Sequence, residues 1–153
     1  MKRLSFLVLL GVLAAACGGS SRLSKAQYQQ RLTADSKAVQ KVITQLTKSG
    51  SSPTLAGFAT KVDAAEAVVK KAADDLAAAK PPKAVDADNA TVVTALRKIQ
   101  SSFEKMKTAA ASGGSIAVLT ATAALERSPE LKAAERAIGD MKKQGYDVGV
   151  LGA

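Results

Sequence analysis

The side chains able to do chemistry are few. Ser102-Phe103-Glu104-Lys105 has the S-x-x-K spacing at which a lysine amine can activate a serine nucleophile. The companion strings Ser-x-Asn and Lys-Thr-Gly are missing, the nearest being Lys107-Thr108-Ala109, so Ser102 and Lys105 read as a helix surface flanking a buried Phe103. Asp86-Ala87-Asp88-Asn89 suggests a calcium loop. Such a loop needs an oxygen ligand fifth, Gly sixth and Glu twelfth, and the chain has Ala90, Thr91 and Arg97 there. Acidic residues opening a helix are explained by capping and by the helix dipole. Asp63, Glu66, Asp74 and Asp75 alternate with Lys at helical spacing and read as a solvated face.

The sequence has no His, which removes the commonest general base, the commonest metal ligand and the usual ligation of haem and di-iron bundles. Met106 and Met141 then read as core filler. One Cys in 153 residues excludes disulfide scaffolds, thiolate zinc sites and iron–sulfur clusters. The expectation is a protein that is not an enzyme and holds no metal and no cofactor.

That single thiol, Cys17, is placed informatively. Met1-Lys2-Arg3 is followed by Leu4–Ala16, thirteen residues without charge, as in an export signal. At 1.5 Å per residue this is roughly 20 Å of helix, short of a ~30 Å bilayer core. The run ends in Leu13-Ala14-Ala15-Ala16-Cys17-Gly18-Gly19-Ser20-Ser21. It resembles the lipobox of bacterial lipoproteins, with Ala14 at the position where Leu is usual. The resemblance implies cleavage between Ala16 and Cys17 and acylation (palmitate or a similar chain) of Cys17, which becomes the new N-terminus. Ala14-Ala15-Ala16 equally fits an ordinary signal peptidase site, which would leave a secreted chain with a free thiol. The Gly-Gly-Ser-Ser that follows is a flexible tether.

Four helix-forming segments must carry whatever the mature chain does, because Ser49–Pro53, Lys80-Pro81-Pro82 and Ser112-Gly113-Gly114 interrupt it at regular intervals. Ser24 and Gln27 form a capping box, with Leu23 and Tyr28 at the two positions of a hydrophobic staple. Ser52 and Pro53 suit the start of a second helix. Leu55, Phe58, Val62, Ala65, Val69, Ala72, Leu76 and Ala79 then follow a strict 3,4 spacing, the seam of a coiled coil or bundle. Val92, Leu96, Ile99, Phe103, Met106 and Ala110 continue this in the third segment. In the fourth, Ile116, Leu119, Ala123, Leu131, Ile138 and Met141 suggest a buried face, which Pro129 must kink or split.

The expected fold is all-α: an up-down-up-down four-helix bundle with the last helix kinked or split near Pro129. An oligomeric coiled coil is the rival arrangement. The divisions are a signal peptide over 1–16, the lipidated Cys and tether over 17–23, the bundle over 24–146 and a tail over 147–153, whose Val148, Val150 and Leu151 can pack back on the helices.

The net charge of +9 is not spread evenly: the first helix has five basic residues and one acid, and its Lys37, Lys41 and Lys48 fall within about 40° of one another, opposite Val39. Such a stripe either keeps the protein soluble or meets an anionic surface, such as lipid headgroups or a wall polymer. Nucleic acid is not expected, since it conflicts with the export signal and the charge forms no groove with aromatic platforms.

The sequence therefore reads as a non-enzymatic lipoprotein at the extracytoplasmic face of the cell membrane, periplasmic or surface-exposed. Its partners would be the membrane through Cys17, together with an envelope protein or wall polymer. The alternative is a carrier or sensor of a small apolar ligand held between the helices, with an Ala-lined seam leaving the cavity and the region of Pro129 and Gly139 as its gate. The intact mass of the membrane-fraction protein, with its N-terminal peptide sequenced, should give a diacylated or triacylated Cys17. An unmodified chain starting at Cys17 in the medium would mark the secreted form, and a retained Met1 would contradict both.

Overall fold

Local capping chemistry sets the helix ends. In the computed structural model, which describes residues 22–48 and 54–149, Ser24 and Gln27 form the reciprocal capping box. Gln27 N donates to Ser24 Oγ at 3.3 Å and Ser24 N to Gln27 Oε1 at 2.9 Å. Helix α1 then runs Lys25–Lys48. Helix α2, Leu55–Ala78, is capped by Thr54, whose hydroxyl accepts from Gly57 N at 3.1 Å. Ser52 and Pro53, the expected cap, lie outside the described residues. The Pro-Pro step passes through a 3-10 turn at Lys83–Val85 into α3, Asp86–Ala111.

Gly113, at φ +74°, ends α3. Gly114 N donates to Ala109 O and Gly113 N to Ala110 O, the paired bonds of a Schellman stop. The last stretch forms two helices, α4 over Ser115–Glu126 and α5 over Pro129–Lys143, which meet at a bend of 39°. Pro129 explains the break. Its ring cannot sit inside a helix, but it suits the first helical position, and Ser128 Oγ caps α5 by accepting from Leu131 N at 3.3 Å. Gly145, also at φ +74°, ends α5 in a second Schellman stop, with Tyr146 N on Met141 O.

The described residues are all-helical, without strands. α2 packs on α1 and on α3, and α3 in turn packs on α4 and α5. The seam of α2 is buried from Val62 through Ala79, and that of α3 at Val92, Leu96, Phe103, Met106 and Ala110. Leu55 and Ile99 are only half-buried. One expectation fails in α4: Ile116 and Leu119 are 78% and 69% exposed, and Val118 is the buried residue. The helix is apolar on every side, so periodicity could not choose which face to bury.

One end of the molecule is tightly closed. Tyr28 is fully buried and donates its hydroxyl to Asn89 Oδ1 at 3.0 Å, while Asn89 Nδ2 donates to Leu76 O at 3.0 Å. Burial is the main cause that pushes the Tyr28 hydroxyl far above its ordinary pKa, so it remains a donor. The Tyr146 ring meets Tyr28 edge-on at 6.0 Å, and Lys25 Nζ sits 4.6 Å from its centroid. Leu23 N donates to Lys80 O at 2.7 Å, and Arg22 binds both Pro81 O and Asp86. Val148 is buried in the same core cluster as Tyr28 and Tyr146, while Val150 and Leu151 lie outside the described residues.

Removing the Tyr28 hydroxyl strands Asn89 Oδ1 in a buried site. Tyr28→Phe should therefore cost about 1–3 kcal/mol, with about 2–4 °C of Tm lost per kcal/mol in thermal unfolding. Tyr146→Phe, whose hydroxyl has no hydrogen bond among the described residues, should change Tm by less than about 1 °C.

Candidate functional site

Along α1 the packing loosens. Tyr28, Leu32, Ser36 and Val39 are buried, whereas Val42, Ile43 and Leu46 are only half covered. On the facing helices Phe58, Ile99, Leu125 and Leu131 are likewise half-buried. Ile43, Leu46, Phe58, Ile99, Leu125 and Leu131 converge on a partly open cavity of about 410 Å³ between the second half of α1, the first half of α2 and the second half of α3, bordered on the remaining side by α4 and the start of α5. Val62, Phe103 and Met106 complete its apolar wall, and only Thr122 and Glu126 bring polar atoms to it.

Two features of the sequence leave this space open. α4 rests on α3 as its main neighbour and buries one residue, so little pulls it toward α1. The break before Pro129 also turns the chain beside this space, between the lining residues Glu126 and Leu131. Of the Ala seam, Ala65 borders a smaller space of about 240 Å³ beside Val42, Leu46 and Ala64, while the larger cavity is walled by Leu, Ile, Val, Phe and Met. Pro129 stands at the cavity's edge, next to the lining residue Leu131, while Gly139 lies ten residues further along α5.

The size falls within the ~300–1,000 Å³ usual for small-molecule sites, and so does the composition, apolar walls with a few polar groups. The polar groups of the lining are the Thr122 hydroxyl, which donates to Val118 O at 3.0 Å, and the Glu126 carboxylate. Ser102 donates its hydroxyl to Lys98 O at 3.0 Å in a buried position, and Lys105 is exposed. Asp86 is ion-paired with Arg22, and Asn89 is committed to Tyr28, so the segment read against a calcium loop is structural. Asp63 and Glu66 both engage Lys107, and Asp74 and Asp75 engage Lys70 and Lys71.

Of the residues singled out for anionic contact, Lys37 and Lys41 are exposed on α1 and pair with no carboxylate among the described residues. Lys37 borders a shallow polar depression with Gln30, Thr33 and Asp147. The Lys48 side chain and Cys17 lie outside the described residues.

A second, polar hollow separates α1 from α2, lined by Gln27, Gln30, Arg31, Asp35, Lys71 and Asp75. Asp35 Oδ2 is buried there without a hydrogen-bond partner. Burial raises the pKa of Asp35 and Asp75 adds to the rise, against the opposing pull of Lys71 and Arg31. A carboxyl whose folded pKa exceeds its unfolded value costs stability above that pKa and nothing below both values. Asp35→Asn should therefore raise Tm at pH 7, and its advantage should close as the pH falls toward 4. A Tm difference that stays constant over this range would show that ionisation of Asp35 is not the cause.

Comparisons with protein-family models, with curated proteins and with solved structures give no match to this chain, so the reading of its cavity rests on the residues that build it.

Proposed function

We propose that this chain is a lipid-anchored, extracytoplasmic protein of the cell envelope. Its helical bundle holds a small apolar molecule between the helices and carries out no catalysis. The observation that carries the ligand-binding part is the cavity of about 410 Å³, in which half-covered Ile43, Leu46, Phe58, Ile99 and Leu125 face one another across open space. Cores are packed to crystal-like density, and lining atoms without neighbours forfeit their dispersion contacts. A molecule seated there would restore them.

The address rests on the lipobox-like run ending at Cys17, and no helix among the described residues is long and apolar enough to cross a membrane. The bundle is read as up-down-up-down. Consistent with this, Lys107 of α3 meets Asp63 and Glu66 of α2, Thr122 of α4 lies beside Met106, and Glu130 of α5 pairs with Lys98. These contacts step back along α3 as the last stretch advances. Contact with an anionic wall polymer or envelope protein is a second reading, favoured by the exposed, unpaired Lys37 and Lys41.

A neutral apolar probe tests the cavity. Decanol at a hundredfold excess over its Kd should stabilise the full chain by about 2.7 kcal/mol, a rise of roughly 5–10 °C in Tm. Leu125→Trp, which fills the space, should abolish that rise, while Ile116→Ser on the exposed side of α4 should retain it. No rise in the unaltered chain, or an equal rise in Leu125→Trp, would remove the cavity from the function.

A further inference from the structure

The polar atoms at the cavity are all acceptors. Thr122 donates its one hydroxyl proton to Val118 O at 3.0 Å, and its oxygen lies 3.9 Å from Met106 Sδ, so it offers only lone pairs. Glu126, exposed at the end of α4, has no ion pair among the described residues. No Lys, Arg, Asn or Gln lines the cavity.

Of the nearby sources of positive potential, Lys98 and the amino end of α5 are already answered. Lys98 lies 3.6 Å from Glu130. The amino end of α5, where a helix dipole would favour an anion, is capped by Ser128 Oγ on Leu131 N, with Glu130 in its first turn. Arg127, next to Glu126, is not among the lining residues.

We infer that the ligand is an amphiphile with an apolar body and a protonated amine head, the body between Phe58, Phe103 and Leu125 and the ammonium at Glu126. This deepens the cavity reading and rests on it. An acceptor-only rim can hydrogen-bond an ammonium, whereas an ionised fatty acid or a phosphate head would meet Glu126 as a like charge without a donor. Without residues 1–16 the chain still carries a net charge of +7, which sharpens the inference, because the field of the whole chain attracts anions. A preference for a cation has to arise locally.

The test compares decylammonium, decanol and decanoate at equal concentrations, below micelle formation, by thermal unfolding of the full chain. Decylammonium should bind about tenfold tighter than decanol, with decanoate weakest. Glu126→Gln should bring decylammonium down to the level of decanol while leaving decanol unchanged, and Glu126→Lys should reverse the order of the two ions. If decanoate matches or exceeds decylammonium, or if Glu126→Gln leaves the preference intact, the assignment of the head group is overturned and the apolar cavity stands. Should none of the three probes raise Tm, both fall together.

Discussion

The buried hydrogen bond from Tyr28 to Asn89 fixes the frame on which the other contacts depend. Tyr28 comes from the first turn of α1, Asn89 from the first turn of α3, and the second bond of Asn89 reaches the Leu76 carbonyl near the end of α2. Three helices are thus pinned at one level by two bonds shielded from water, where a hydrogen bond is strong and an unpaired partner costly. Tyr146 stacks edge-on against the same ring, and Arg22 and Leu23 tie the incoming chain to the Lys80–Asp86 corner.

What is fixed at one end is loose at the other. The sequence has five aromatic residues, and the bundle places Tyr28 and Tyr146 together at the closed end. The far half must fill its interior with Leu, Ile and two Phe, beside Ala-rich helices that add little volume. α4 could have closed the gap, but it is short, apolar all round and held chiefly by α3. Its exposed Ile116 and Leu119 and the cavity on its inner side have the same cause, an element with no face that burial clearly prefers.

This asymmetry marks the limit of what could be read from the sequence. Caps and seams are local: the Ser24–Gln27 box, the glycine stops and the α2 and α3 seams follow from spacing and backbone geometry alone. The break at Pro129 follows from ring sterics in the same way. Asn89 was legible only as part of a helix opening, because its partner Tyr28 is 61 residues away and no periodicity links them. The Ala seam led to the expectation of a cavity along it; the space of about 410 Å³ is walled chiefly by larger apolar side chains, while Ala65 borders a smaller one. A seam spacing says which residues face inward and not how closely the helices approach. The opening fell where bulky side chains met a bend.

The short tether gives the asymmetry a direction. From Cys17 to Arg22 is five residues, at most about 18 Å of extended chain, and Arg22 is clamped to the closed end. A lipid on Cys17 would therefore hold the closed end close to the bilayer. α3, at 26 residues, carries the bundle about 39 Å further. With the bundle upright, the cavity and Glu126 stand well beyond the ~8 Å over which headgroup charge is felt. An amphiphile would then enter from the aqueous side, past α4, and the exposed lysines of α1 would run up the side of the bundle between the membrane and the opening. Lying flat, the bundle would bring Lys37 and Lys41 to the headgroups only by turning α1 downward. α4 borders the cavity across from Ile43 and Leu46 of α1, so the upright bundle, held at its closed end, is the arrangement in which the cavity stands clear of the bilayer and takes a dissolved ligand.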